Sequence, residues 1–194
     1  MSQRLPIALL LATEVALSGC GGTMKATQFT NPNFNFAFLQ RVAVLPFDNQ
    51  SNDRQAGPRA TRLTITELLA SGAVEVVEPG EVQMALNQVT GTALGRSVLP
   101  STEQVISLGK TLKVQGLIIG TVTQSESLRS GSVPIPVVTL DMHMVETETG
   151  ATVWATTHSE KGGSFSARVL GTGGEPIAET TRKCVQAALA TLVK

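Results

Sequence analysis

The chain has 194 residues, with 15 Lys+Arg against 15 Asp+Glu and a formal charge of zero. That balance excludes a nucleic-acid binder, which needs a basic excess to displace counterions from phosphate, and the composition also excludes disorder, collagen, a disulfide scaffold and a polytopic membrane protein. Charged residues are only 15% and hydrophobic ones 42%, against about 25% charged in soluble domains, so something besides the chain's own core is expected to cover its surface.

Residues 1–19 read as a signal peptide. Arg4 precedes an apolar run from Ile7 to Leu17, too short for the roughly 20 residues a bilayer crossing takes. The run ends in Leu17-Ser18-Gly19-Cys20, which resembles the lipobox of bacterial lipoproteins. The resemblance implies that Cys20 is acylated, palmitate included, and becomes the first residue of the mature chain. Gly21 after the cysteine, in place of an aspartate, implies sorting to the outer membrane. Several acyl chains at about 0.8 kcal/mol per buried methylene anchor stably. No later segment reaches membrane-spanning length, so the protein is expected to be lipid-anchored on the periplasmic side and not threaded.

Residues 20–40 are expected to form the acylated cysteine and a tether or arm. Asn33-Phe34-Asn35-Phe36-Ala37-Phe38 alternates polar and aromatic residues, which asks for one buried face. It is either an edge strand on its own domain or an arm lying on a neighbouring subunit. The domain proper spans 41–194. Arg41 to Phe47 reads as a buried first strand, and Asp48 to Asp53 as a turn-rich loop. A helix follows, with Pro58 in an early turn and Gly72 as its stop. Val74–Val77 is a second strand, Pro79 opens another helix, and Ser101-Thr-Glu-Gln104 is a capping box opening a third. Gly116–Thr123 is a strand, and Val137–Glu146 with Thr152–Ser159 forms a hairpin around Glu148-Thr149-Gly150. Ile177, Thr181, Cys184, Val185, Ala188 and Leu192 recur at helical spacing. The order β-α-β-α-α-β-β-β-α predicts an α/β (α+β) fold, a single mixed sheet of about five strands with packed helices.

The series Arg41-Val-Ala-Val-Leu-Pro-Phe-Asp-Asn49, Val74-Glu-Val-Val-Glu78, Gly116-Leu-Ile-Ile-Gly120 and Glu148-Thr-Gly-Ala-Thr-Val-Trp154 resembles the periplasmic fold shared by CsgG, PelC, LpoB and the amino-terminal domain of TolB. The resemblance covers about residues 41–160, and the layout fits PelC best. It implies a non-enzymatic protein, often a homo-oligomeric ring at the outer membrane, whose partners are envelope export or biosynthesis proteins. The exported material would most readily be a biofilm exopolysaccharide. The alternative is a monomeric regulator docking on a peptidoglycan synthase or another envelope enzyme. CsgG-like pores need two membrane hairpins per subunit, with strands of about 9–11 residues. Neither Gln124–Pro136 nor Gly162–Glu175 is long enough to hold one.

A tight turn at 148–150 would set His143 opposite Trp154 and Asp141 opposite Thr156. Asp141, His143, Trp154, Thr156 and His158 would then share one face, opposite a core face of Val138, Leu140, Met142, Met144, Val153 and Ala155. The polar face has several readings: a metal site, an Asp–His hydrolytic pair, plain solvent exposure, or a protein or lipid contact centred on Trp154. A one-residue bulge would turn Trp154 into the core. No nucleophile elbow or His-Glu-x-x-His accompanies the pair, and no cofactor or resident metal is expected. The Gly162-Gly163 and Gly171-Thr-Gly-Gly174 stretches lack the Gly-Lys-Ser/Thr order of a phosphate loop. The candidate contact residues are Phe34, Phe36, Phe38 and Trp154, with Cys20 the lipidation site. Cys184 is expected to be a buried small hydrophobe.

Overall fold

The computed structural model describes residues 27–91, 100–130, 133–163 and 175–192. Cys20 and the signal segment lie outside them. The elements are β1 (Thr27–Thr30), a 3-10 turn (Phe36–Phe38), β2 (Arg41–Val44), β3 (Asp48–Asn49), α1 (Ala56–Ser71), β4 (Glu75–Val76), α2 (Pro79–Thr90), α3 (Thr102–Leu112), β5 (Gly116–Ser130), β6 (Val133–Glu146), β7 (Thr152–Lys161) and α4 (Ile177–Leu189). The strands form one seven-stranded mixed sheet in the order β1-β7-β6-β5-β2-β4, with β3 also pairing β5. The β2, β3 and β4 pairings are parallel and the rest antiparallel.

Local chemistry sets the helix limits. α1 ends at Gly72, whose φ of 61° suits the left-handed cap. α2 starts on Pro79 and ends at Gly91 in the same conformation. At the start of α3, Ser101 Oγ accepts from the Gln104 N–H while Gln104 Oε1 accepts from the Ser101 N–H, a reciprocal cap worth about 1 kcal/mol.

Two cores lie on either side of the sheet. Val42, Val44, Ile118, Leu140, Met142 and Met144 meet α1 and α4, which contribute Ala60, Leu68, Cys184, Val185 and Ala188. Ala43, Leu117, Ile119 and Val145 meet α2 and α3 through Val82, Leu86, Val105 and Leu108. Gly120 lies so close to the Phe47 ring that a Cβ there would collide with it. An ion pair between Arg59 and Asp53 ties this assembly together. Arg59 also donates to Ser125 Oγ and Thr181 Oγ1, at 3.2 Å each. It thereby joins the loop before α1 to β5 and α4. Burial raises the Asp53 carboxyl, but hydrogen bonds from Arg59, the Gln55 N–H and Ser125 outweigh it and leave the pKa below the usual carboxylate value.

The sheet departs from the sequence expectation in three places. Phe34 to Phe38 is not a strand. Asn35 caps a 3-10 turn through the Ala37 N–H, and the edge strand is the upstream Thr27–Thr30. Second, β5 and β6 run on beyond the expected strand limits of Thr123 and Val137, and residues 127–130 and 133–136 form ladder pairs only with each other. The two prolines permit this because Pro136 directs its carbonyl away from β5, where it accepts from the Gly162 N–H. Pro134, two residues earlier, points the same way, so neither missing N–H costs a bond to β5, and the free edge is blunted. Third, the β6–β7 ladder changes register at Val153: Val145 pairs Thr152, but Met144 pairs Trp154.

Candidate functional site

The bulge at Val153 re-sorts the residues on which a site was expected. His143 now faces Ala155 and Asp141 faces Thr157 across the ladder, while Trp154, Thr156 and His158 turn to the opposite side. Trp154 is wholly buried against α4 and its indole N–H donates to Thr191 Oγ1 at 3.0 Å. A buried indole with its donor satisfied contributes far more to the core than it would in solvent. Trp154 is therefore a core residue and offers no contact surface to a partner or to lipid.

The same bulge separates the candidate metal and catalytic groups. Asp141 and His143 lie on one face of the sheet. His158 lies on the other, its Nε2 3.4 Å from Glu160 Oε2 and its backbone carbonyl against Cys184 Sγ. Among the described residues no three His, Cys, Asp or Glu side chains converge as a metal site would require. Cys184 is fully buried; burial, then the nearby Glu160 charge, pushes its thiol up to about 12, which makes it inert as a nucleophile.

The candidate contact phenylalanines also divide. Phe34 and Phe36 pack edge to face, 4.8 Å apart at 82°, as half-buried neighbours of the α1/α4 core. They hold the chain before β2 onto its own domain. Phe38 is 73% exposed and overhangs a groove of about 470 Å³ bounded by Asn33, Phe34, Gln115 and Thr147.

A second surface was legible only in part: the sequence placed Asp141 and His143 on one face, but not the residues that accompany them. Among the described residues, α2 and α3 cover the β2–β5 half of their side of the sheet and leave part of the face of β1 and of the middle of β6 and β7 open, while Ile135 and Val137 further along β6 are buried. The open part carries Phe29, His143, Asp141, Ala155 and Thr157 around a shallow depression of about 440 Å³. Phe29 is 49% exposed. Thr157 donates to Asp141 Oδ1 at 2.6 Å, and Thr139 Oγ1 lies 3.0 Å from Ser159 Oγ further along. Burial lowers the His143 pKa below its ordinary value, although the Asp141 charge opposes this. The surface is flat, hydroxyl-rich and marked by one aromatic ring. The Thr157 hydroxyl is held by Asp141 on an open, flat surface, a geometry that suits contact. Phe29 was missed because every residue of Thr27–Thr30 is exposed, so no buried face patterned the strand.

Fold and surface together define a class: a one-sheet mixed α/β domain with an amino-terminal edge strand and, among the described residues, a partly open sheet face. No protein-family model matches the chain, and no curated protein matches its sequence. Solved structures of the same fold include the PelC dodecamer from Paraburkholderia phytofirmans. It is 16% identical, with 85% of this chain and 96% of that chain covered and a TM-score of 0.57. Lipoprotein GNA1162 from Neisseria meningitidis is 16% identical over 69% of this chain and 91% of its own, with a TM-score of 0.55. The hypothetical protein CT253 from Chlamydia trachomatis is 10% identical over 79% and 95%, also at 0.55. At these identities the likeness is one of fold.

Proposed function

We propose that this protein is an outer-membrane lipoprotein of the periplasmic side, acylated at Cys20, with no enzymatic activity. Its work is structural: several copies assemble as a ring or collar within an envelope export system, most readily one for exopolysaccharide. What supports this reading is the joint occurrence of the lipobox-like Leu17-Ser18-Gly19-Cys20 and a fold shared, over 85% of this chain, with a protein that crystallised as a dodecamer. Residues 1–19 are then the signal peptide and 41–194 the domain. Phe38 and the open part of the β1–β7–β6 face are the surfaces available for contact with neighbours or with lipid.

The test is a deletion strain complemented with the wild type or with Cys20→Ala. The export reading expects lost surface polysaccharide, restored by the wild type and not by the variant. Unchanged polysaccharide with altered peptidoglycan cross-linking would overturn it in favour of a docking regulator of a peptidoglycan synthase.

A further inference from the structure

Between the expected anchor at Cys20 and the first residue of β1, Thr27, the chain has seven residue steps. Fully extended, these reach at most about 25 Å. The sequence alone allowed a tether of twenty residues, but fourteen of those belong to the folded domain. Thr27, Phe29 and Asn31 bond to β7, the last through its N–H to the Val153 carbonyl at 2.8 Å. Phe34, Phe36 and Leu39 then pack on the α1/α4 core.

A domain of this length is about 40 Å across, so the leash is shorter than the body it holds. β1 is one edge of the sheet and β4 the other, about 24 Å apart at ordinary strand spacing. The leash leaves from the β1 edge, at the strand carrying the half-exposed Phe29. The depression beside it presents Ala155, His143, hydroxyls and one carboxylate, Asp141, which accepts from the Thr157 hydroxyl.

We infer that the β1 edge, with Phe29 and the open face around it, is the membrane-facing side of the protein, lying on the lipid surface, while β4 and α2 point into the periplasm. This rests on acylation of Cys20. It deepens the proposed function by specifying the partner: the surface β1 meets is lipid, which leaves Phe38 and the β4–α2 side for protein partners.

The experiment uses the full-length acylated protein in vesicles of phosphatidylethanolamine and phosphatidylglycerol carrying a headgroup energy acceptor. A donor dye is placed at Phe29→Cys or, on α2, at Met84→Cys, where the native side chain is 68% exposed. Buried Cys184 does not compete for the label. The expected result is strong transfer from position 29 and weak transfer from position 84, with iodide quenching only the latter. Lengthening the leash by a flexible Gly-Ser insert between Gly21 and Gly22 should reduce the difference. Equal transfer from both positions overturns the inference. So does a donor at 29 shielded from iodide without transfer to lipid, which would mean a second copy covers the face. The mass of the amino-terminal peptide is measured on the same sample, so an unacylated Cys20 is recognised as failure of the parent reading instead.

Discussion

Trp154 illustrates how a single residue's environment reverses its role. On a flat hairpin it would have been an exposed anchor, but one extra residue at Val153 puts it in the core with its indole N–H on Thr191. Trp154→Ala is therefore expected to lower stability by about 3–5 kcal/mol, read as a reduced denaturation midpoint in the monomeric domain. A contact residue would leave that midpoint unchanged. Trp154→Phe should cost less, because Thr191 Oγ1 still donates to the Ala188 carbonyl at 2.7 Å and is not orphaned. His143 gives a pH signature. Its pKa is lowered in the folded state by burial, against the Asp141 charge. Below the unfolded value of 6.5 the unfolded chain therefore binds more protons than the folded one, and stability falls as pH drops through that window. The fall between pH 7 and 5.5, followed by urea denaturation, should be shallower in His143→Gln. An equal slope in both would contradict the assignment.

Among the elements, those governed by local chemistry could be read from the sequence, and those governed by distant partners could not. Gly72, Pro79 and the Ser101–Gln104 box act within one helical turn, and the helices stop and start where they stand. The β5–β6–β7 meander was legible in its order, but its register was not. Pairing next to the 148–150 turn follows the tight-turn geometry as far as Val145–Thr152, and beyond it α4 decides which side Trp154 takes. The extension of β5 and β6 through Pro134 and Pro136 was not legible because the direction of these prolines relative to β5 is a property of the pairing. β1 was invisible because its burial pattern is uniformly exposed; its backbone bonds to β7 hold it. Removing residues 27–40 should uncover the β7 edge and cost about 4 kcal/mol from Leu39, Phe34 and Phe36 alone, at 1.5–3 kcal/mol per fully buried side chain. A fragment starting at Arg41 with an unaltered melting point would contradict this. Close packing between elements gives a second check. Gly120→Ala should overpack the Phe47 ring and destabilise by about 1–3 kcal/mol, with Phe47→Leu in the same chain recovering part of the loss.

At the scale of the whole molecule, the described helices form two opposed layers that leave part of one side of the sheet open. This open part accords with the low charge of the chain: a composition poor in charge suits a protein whose surface is shared with neighbours or with lipid. No described helix is long and apolar enough to cross a membrane, and the two-stranded end of β5 and β6 has only four residue pairs outside the main sheet. That is about 13 Å of strand, short of the 9–11 residues per strand of a membrane barrel. The central proposal is assembly at a membrane surface, with β1 toward lipid and Phe38 exposed for a neighbouring copy. The most direct measurement is the native mass of the full-length acylated protein in detergent, by light scattering at several concentrations. The account predicts a fixed multiple of the protomer mass that Phe38→Ala weakens while Trp154→Phe leaves it intact. A monomer at every concentration would contradict it.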